Sequence, residues 1–166
     1  MLAEIYDKLV ESFWGKHRRL IRRFLDEFEC SPGLYILKLP TGYGKTGIVF
    51  THALSTLVGY CSSSTIYVAP LRSLVDDVYD RWKSIASKIM GEDIVEEISG
   101  VQHMGVAGSI YLNKPVVYTT MDTFLLHLFK LPPPELKHQA KAMVSRQYYR
   151  GHYEVSRGAI ANSAII

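Results

Sequence analysis

Cysteine is nearly missing. Only Cys30 and Cys61 occur, far apart and without C-x-x-C spacing. That excludes a disulfide-rich scaffold and a thiolate zinc site, and it fits a reducing cytosol. No apolar run approaches the ~20 residues needed to span a bilayer, so no membrane partner is expected. The opening M-L-A-E-I-Y-D-K-L-V mixes Glu4 and Asp7 into its apolar residues and does not read as a signal peptide. There is no internal repeat and no low-complexity tract beyond P-P-P at 132–134. Charge of one sign is scarce as well. The net charge is +3, which says little about partners. Its distribution says more: Lys130 to Arg157 holds six Lys or Arg against Glu135 and Glu154, so the rest of the chain sums to −1.

What is present suits a globular chain: 166 residues, 48% of them apolar, enough for one ordinary domain. Leu2, Ile5, Tyr6, Leu9, Val10 and Phe13 form one helical face, interrupted by Gly15. A second helix places Leu20, Ile21, Phe24, Leu25 and Phe28 on one side. Arg18, Arg19, Arg22 and Arg23 form a solvated face opposite, with Asp26 and Glu27 one turn on. S-P-G at 31–33 stops it. L-Y-I-L-K-L at 34–39 reads as a buried strand, and Thr46 to about Val58 as a helix. Further strands are expected at 65–69, 94–98 and 115–119, and the start of a fifth in A-N-S-A-I-I at the end. Helices are expected from Leu71 to Ile89 and from Met121 to Leu128. Strands alternating with helices imply a parallel sheet covered on both faces.

One stretch carries chemistry on its face: L-P-T-G-Y-G-K-T, residues 39–46. The phosphate-loop pattern is G-x-x-x-x-G-K-[ST], and Leu39 stands where its first Gly belongs. The physics needs less than the pattern. Gly42 and Gly44 can take the positive φ that turns backbone N–H groups inward. Lys45 can reach terminal phosphates. Thr46 can ligate Mg²⁺ and open a helix whose dipole faces an anion. The β-prone run before the loop and the helix after it complete the expected context. The pattern does not separate kinases, GTPases, transporters and motors.

Two later stretches narrow it. Y-V-A-P-L-R-S-L, 67–74, follows one strand, and V-V-Y-T-T-M-D-T-F-L, 116–125, follows another. Arg72 can pair with a phosphate, and Thr119 and Thr120 offer hydroxyls. Alternatively, the threonines simply end a strand and Asp122 caps a helix. In order with P-T-G-Y-G-K-T, the three stretches resemble superfamily-two DExD/H-box helicases. T-T-M-D-T-F-L is similar to the T-x-D-x-x-L motif of the CRISPR-associated helicases of type I systems, in their stand-alone form. A-P-L-R-S-L-V-D-D and A-N-S-A-I-I are also like that family.

The resemblance implies an α/β fold: a RecA-like parallel sheet with helices on both faces, as in P-loop NTPases, truncated before the acidic motif. It implies helices at 1–33 and a partial first motor domain at 34–166, with a basic insertion at 130–157. ATP with Mg²⁺ would bind Pro40, Thr41, Gly42, Tyr43, Gly44, Lys45 and Thr46, with Lys45 and Thr46 as the catalytic pair. Pro70, Arg72, Thr119, Thr120 and Asp122 would hold single-stranded nucleic acid, DNA by the family's habit, without reading bases. A CRISPR surveillance complex and a separate HD nuclease would be partners, since no His-Asp dipeptide occurs.

Three departures qualify this. The acidic D-E-x-H motif is expected just past Ile166, and with it the Mg²⁺-holding Asp, so this stretch alone is expected to hydrolyse nothing. The family's adenine-reading Gln has no match beyond His17. The Lys130 to Arg157 segment interleaves cations with Tyr148, Tyr149 and Tyr153, which suits either base stacking or a surface insertion. Two rivals stay open: another superfamily-two motor in repair, restriction or RNA processing, and a non-catalytic nucleotide-binding regulator.

Overall fold

Apolar residues at helical spacing do wind into α1 (Leu2–Leu9), which buries Leu2, Ala3, Tyr6 and Leu9. In the computed structural model, which describes residues 1–146 and 151–166, α1 belongs to the first of two units, Met1–Ser63 and Ser64–Ile166. A π-helical turn, Val10–Trp14, continues α1 and stops at Gly15, whose φ is +64°. Then come α2 (Arg19–Glu27) and α3 (Thr46–Leu57). Leu2, Ala3, Tyr6, Val10, Ile21 and Leu25 form the unit's core, with Trp14, Leu39, Tyr43 and Ile48 packed against it. Gly47 permits close approach to α1 and the turn after it. A Cβ there would lie 3.2 Å from the Trp14 ring and 3.5 Å from that of Tyr6.

Two expectations fail in this unit. Residues 34–39 form no strand: they run as irregular chain, with Leu34 89% and Ile36 87% exposed. A strand needs a ladder partner for its N–H and C=O groups, and no strand is described in this unit to supply one. The two cysteines, read as fitting a reducing cytosol, are joined. Cys30 after α2 and Cys61 after α3 form a disulfide, with Cα atoms 4.9 Å apart.

The second unit holds the sheet, ordered β3-β2-β4-β1-β5. Its strands are β1 (Ser64–Ala69), β2 (Ser99–His103), β3 (Val106–Ala107), β4 (Val116–Thr120) and β5 (Ser163–Ile165). β1 pairs in parallel with β4 and β5, and β4 with β2; only the short β3 runs antiparallel, against β2. The two faces are filled differently. On one, Tyr118 is fully buried among the rings of Tyr67, Tyr79 and Trp82, the last two from α4 (Arg72–Met90). On the other, Ile66 and Val117 pack with Leu112, Phe124 and Ile160. Phe124 comes from α6 (Met121–Leu128) and Ile160 from α8 (Tyr153–Ala161). This is the expected α/β architecture, a mostly parallel sheet with helices on both faces.

The strand expected at 94–98 is instead helix α5 (Glu92–Ile98). Glu92 and Glu96, one helical turn apart, both pair with Lys83, at 3.0 and 2.8 Å. Lys114 Nζ donates to the Glu96 and Ser99 carbonyls, closing the end of α5. The strand begins at Ser99, and all five of its residues are buried. The late basic segment also differs. After α6 ends at Leu128, α7 (Pro133–Ser145) starts on Pro133. Proline fits there because a first-turn N–H has no helical partner to lose. Glu135 is buried at 1% exposure and accepts from the Tyr111 hydroxyl (2.8 Å) and the His152 N–H (3.0 Å). Lys130 pairs with Glu154. Tyr148 and Tyr149 lie outside the described residues. No described helix is long and apolar enough to cross a membrane.

Candidate functional site

The glycine loop lies in the first unit. Tyr43 N–H donates to the Pro40 carbonyl at 3.3 Å, closing a tight turn. Gly42 and Gly44 have φ of +73° and +93°, values that strain any residue with a Cβ. α3 begins at Thr46, so the positive end of its dipole and its first unbonded N–H groups are at the loop. Lys45 Nζ donates at 2.9 Å to the Leu39 carbonyl, closing the loop on itself. Thr41, Gly42, Gly44 and Lys45 are exposed, while Tyr43 and Thr46 are half-buried. Leu39, which breaks the phosphate-loop pattern, packs against the α1–α2 core. The leucine gives the loop's first position an apolar anchor that glycine would not.

The residues around this loop are ordered by charge. His17 Nδ1 stands 3.3 Å from Asp7. Arg22 bonds Asp7 at 3.1 Å, and Arg23 bonds Glu27 at 2.8 Å. Arg18 departs from the solvated face assigned to it. Its guanidinium carbon lies 5.7 Å from the centroid of the Tyr43 ring. Among the described residues no group of three or more His, Cys, Asp or Glu could hold a metal. The donor at hand for a cation at the loop is the Thr46 hydroxyl.

The second group of residues lies at the C-terminal edge of the parallel strands of the other unit. Ala69 of β1 is in register with Thr120 of β4, so Pro70 and Met121 leave the sheet side by side. Arg72 opens α4, and Asp122 lies in the first turn of α6. The Asp122 carboxyl is held below its ordinary range, first by the Thr120 hydroxyl. The N–H groups of Thr123 and Asp122 and the Arg72 charge add to this, and burial opposes it. The structure thus brings Arg72, Thr120 and Asp122 together. Both threonines are buried: Thr119 donates to the Gln102 carbonyl at 2.6 Å, and Thr120 donates to the Thr123 hydroxyl at 3.0 Å.

Sequence reasoning missed three residues at this edge. His103 ends β2, and its Nε2 lies 2.9 Å from Asp76 of α4. Arg72 points a guanidinium nitrogen at the Met104 sulfur, 3.4 Å away. A strand placed at 99–103 rather than 94–98 would have brought His103 and Met104 to the strands' ends. The Gln102 Oε1 and His103 Nδ1 atoms are buried without a hydrogen-bond partner among the described residues.

Comparison with known proteins agrees with this arrangement. Residues 18–146 match the family model for DEAD/DEAH box helicases. The chain is also similar to reverse gyrase 1 of Sulfurisphaera tokodaii, 33% identical over 106 residues. That match covers 59% of this chain and 8% of the relative, so the chain spans a small part of that protein. No solved structure matches. With the glycine loop opening α3, the strand-end residues on one sheet edge and a family match over most of its length, the chain belongs to the DEAD/DEAH box helicases, superfamily two.

Proposed function

We propose that this chain is the ATP-binding part of a cytoplasmic, ATP-dependent helicase or translocase acting on single-stranded nucleic acid. The observation that carries the reading is the loop. Two positive-φ glycines, an exposed lysine and a threonine at a helix start form the cradle a triphosphate requires. ATP with Mg²⁺ would supply the phosphoanhydride bond whose hydrolysis drives movement. The residues of this chain bind and orient. The Gly42–Gly44 backbone and the first turn of α3 take up negative charge. Lys45 would exchange the Leu39 carbonyl for phosphate oxygens, and Thr46 would be the protein's ligand for the cation. Arg72, with Pro70 and Asp122, would form a backbone-gripping edge, and the buried Thr119 and Thr120 would buttress it from inside. Such contacts tolerate any sequence.

The finer reading is a CRISPR type I effector motor acting on DNA. It is supported by T-T-M-D-T-F-L and A-P-L-R-S-L-V-D-D, and would bring a surveillance complex and an HD nuclease as partners. A second reading, another superfamily-two motor, is favoured by the likeness to a reverse gyrase. The test uses the full-length protein. Single-stranded DNA should raise its ATPase rate at least tenfold, and Lys45→Ala should abolish the rise. Equal rates with and without nucleic acid would end the motor reading. Stimulation by DNA but not by a target-bound surveillance complex would favour the second motor.

A further inference from the structure

The cations beside the glycine loop are not equivalent. Arg22 is held by Asp7, and Arg23 by Glu27. Arg18 has no ion pair among the described residues. Its guanidinium lies over the Tyr43 ring at 5.7 Å, and its Cγ lies 3.7 Å from where a Cβ of Gly44 would stand. Its backbone is fixed from behind, since the Arg18 N–H donates to the Tyr6 hydroxyl at 3.1 Å and Tyr6 is a core residue. The side chain therefore reaches from a rigid base onto the two central loop residues.

The loop needs such support. The segment before it, 34–39, has no ladder to hold it, and Leu34 and Ile36 are exposed. What ties the loop down is side-chain packing: Leu39 at its head and Tyr43 at its middle rest on the α1–α2 cluster. A phosphate cradle works by preorganised N–H groups, so whatever limits Tyr43 limits the cradle. We infer that Arg18 is a positioning residue of the phosphate loop, which it holds in its cradle geometry through the Tyr43 ring. This deepens the nucleotide-binding reading and rests on it. The ligand class is a nucleoside triphosphate. Arg18 acts through Tyr43.

The experiment has one arm without nucleotide and one with it, both on the full chain. In the first arm, amide hydrogen exchange is followed for residues 39–46 of the free protein. Arg18→Gln should speed exchange there about two- to fivefold, the range of an exposed cation–π contact. Arg19→Gln removes the same charge from an exposed neighbour and should change nothing. Arg18→Lys keeps a cation over the ring and should recover part of the protection. In the second arm a fluorescent ATP analogue is titrated to millimolar concentration. Arg18→Gln and Tyr43→Ala should each weaken binding about two- to fivefold, and the double variant no more than the worse single one. Unchanged exchange in Arg18→Gln overturns the inference, as do additive effects on affinity. Faster exchange with unchanged affinity also overturns it, leaving a contact with no bearing on the ligand. If Lys45→Ala binds as well as wild type, the nucleotide reading itself falls. The exchange arm then still tells whether the Arg18 contact exists.

Discussion

The two units hold their candidate residues by opposite means. In the second, Thr119 and Thr120 sit at the end of β4, a buried strand paired in parallel on both sides. Their positions are set by a ladder, and the ladder by a core in which Tyr118 is wrapped by three aromatic rings. In the first, the glycine loop has no ladder. It hangs between an exposed segment and α3, held by Leu39, Tyr43 and Arg18 and bracketed by the Cys30–Cys61 bond. A surface meant to grip a polymer backbone gains from rigidity. A loop that must admit and release a ligand gains from supports that are few, weak and separable.

The two tryptophans, one per unit, let this contrast be broken. Trp14→Phe and Trp82→Phe leave fluorescence that reports one unit at a time. The largest effect should come from Tyr118→Ala, which empties the ring cluster. It should cost the second unit about 3–5 kcal/mol in a urea melt followed by Trp82. A comparable loss in the Trp14 signal would show that the units do not melt separately. Tyr118→Phe should cost less than about 1 kcal/mol or even stabilise, because the Tyr118 hydroxyl is buried without a partner among the described residues. Reduction of the disulfide should lower the stability of the first unit by about 2–4 kcal/mol and leave the second unchanged, since both cysteines are in the first.

Acid should do the reverse. Burial lowers the His127 pKa to about 4, below its ordinary value near 6.5. The unfolded chain therefore binds the proton first as pH falls. Stability from this group is whole above about pH 6.5, declines between there and about pH 4, and is flat below. The loss is on the order of 3 kcal/mol in the second unit. His127→Asn should flatten the Trp82-detected melt across that window. An unchanged slope would assign the acid sensitivity elsewhere. A smaller effect on the first unit is that of Gly47→Ala. It sets a methyl 3.2 Å from the Trp14 ring and should cost the first unit about 1–3 kcal/mol, seen as a Tm shift in the Trp14 signal.

Legibility followed the same division. β1, β4, α4 and α6 could be read because their apolar residues alternate or recur at helical spacing, and burial enforces both patterns. Residues 94–98 misled because Ile94, Val95 and Ile98 look like a short strand. The deciding facts were Lys83 bridging Glu92 and Glu96, and Lys114 capping the end, which only folding brings near. Residues 34–39 misled because a β-prone run becomes a strand only beside another strand. Glu135 was counted as one of two acids offsetting a basic segment. Its burial depends on Tyr111 and His152, distant in sequence. The loop's turn was legible, since Gly42 and Gly44 take positive φ and α3 starts at Thr46. What Leu39 does there was not, since its packing partners come from helices before it.

One contact in that loop has a consequence of its own. With Lys45 bound to the Leu39 carbonyl, the resting loop already carries an occupant. Any incoming molecule must outcompete an amide oxygen for the ammonium. Lys45 is exposed, so water competes for the same ammonium, and a multiply charged phosphate chain competes far better. On the proposed function, the lysine would select by charge density before shape, and its bond to the carbonyl would mark the empty loop.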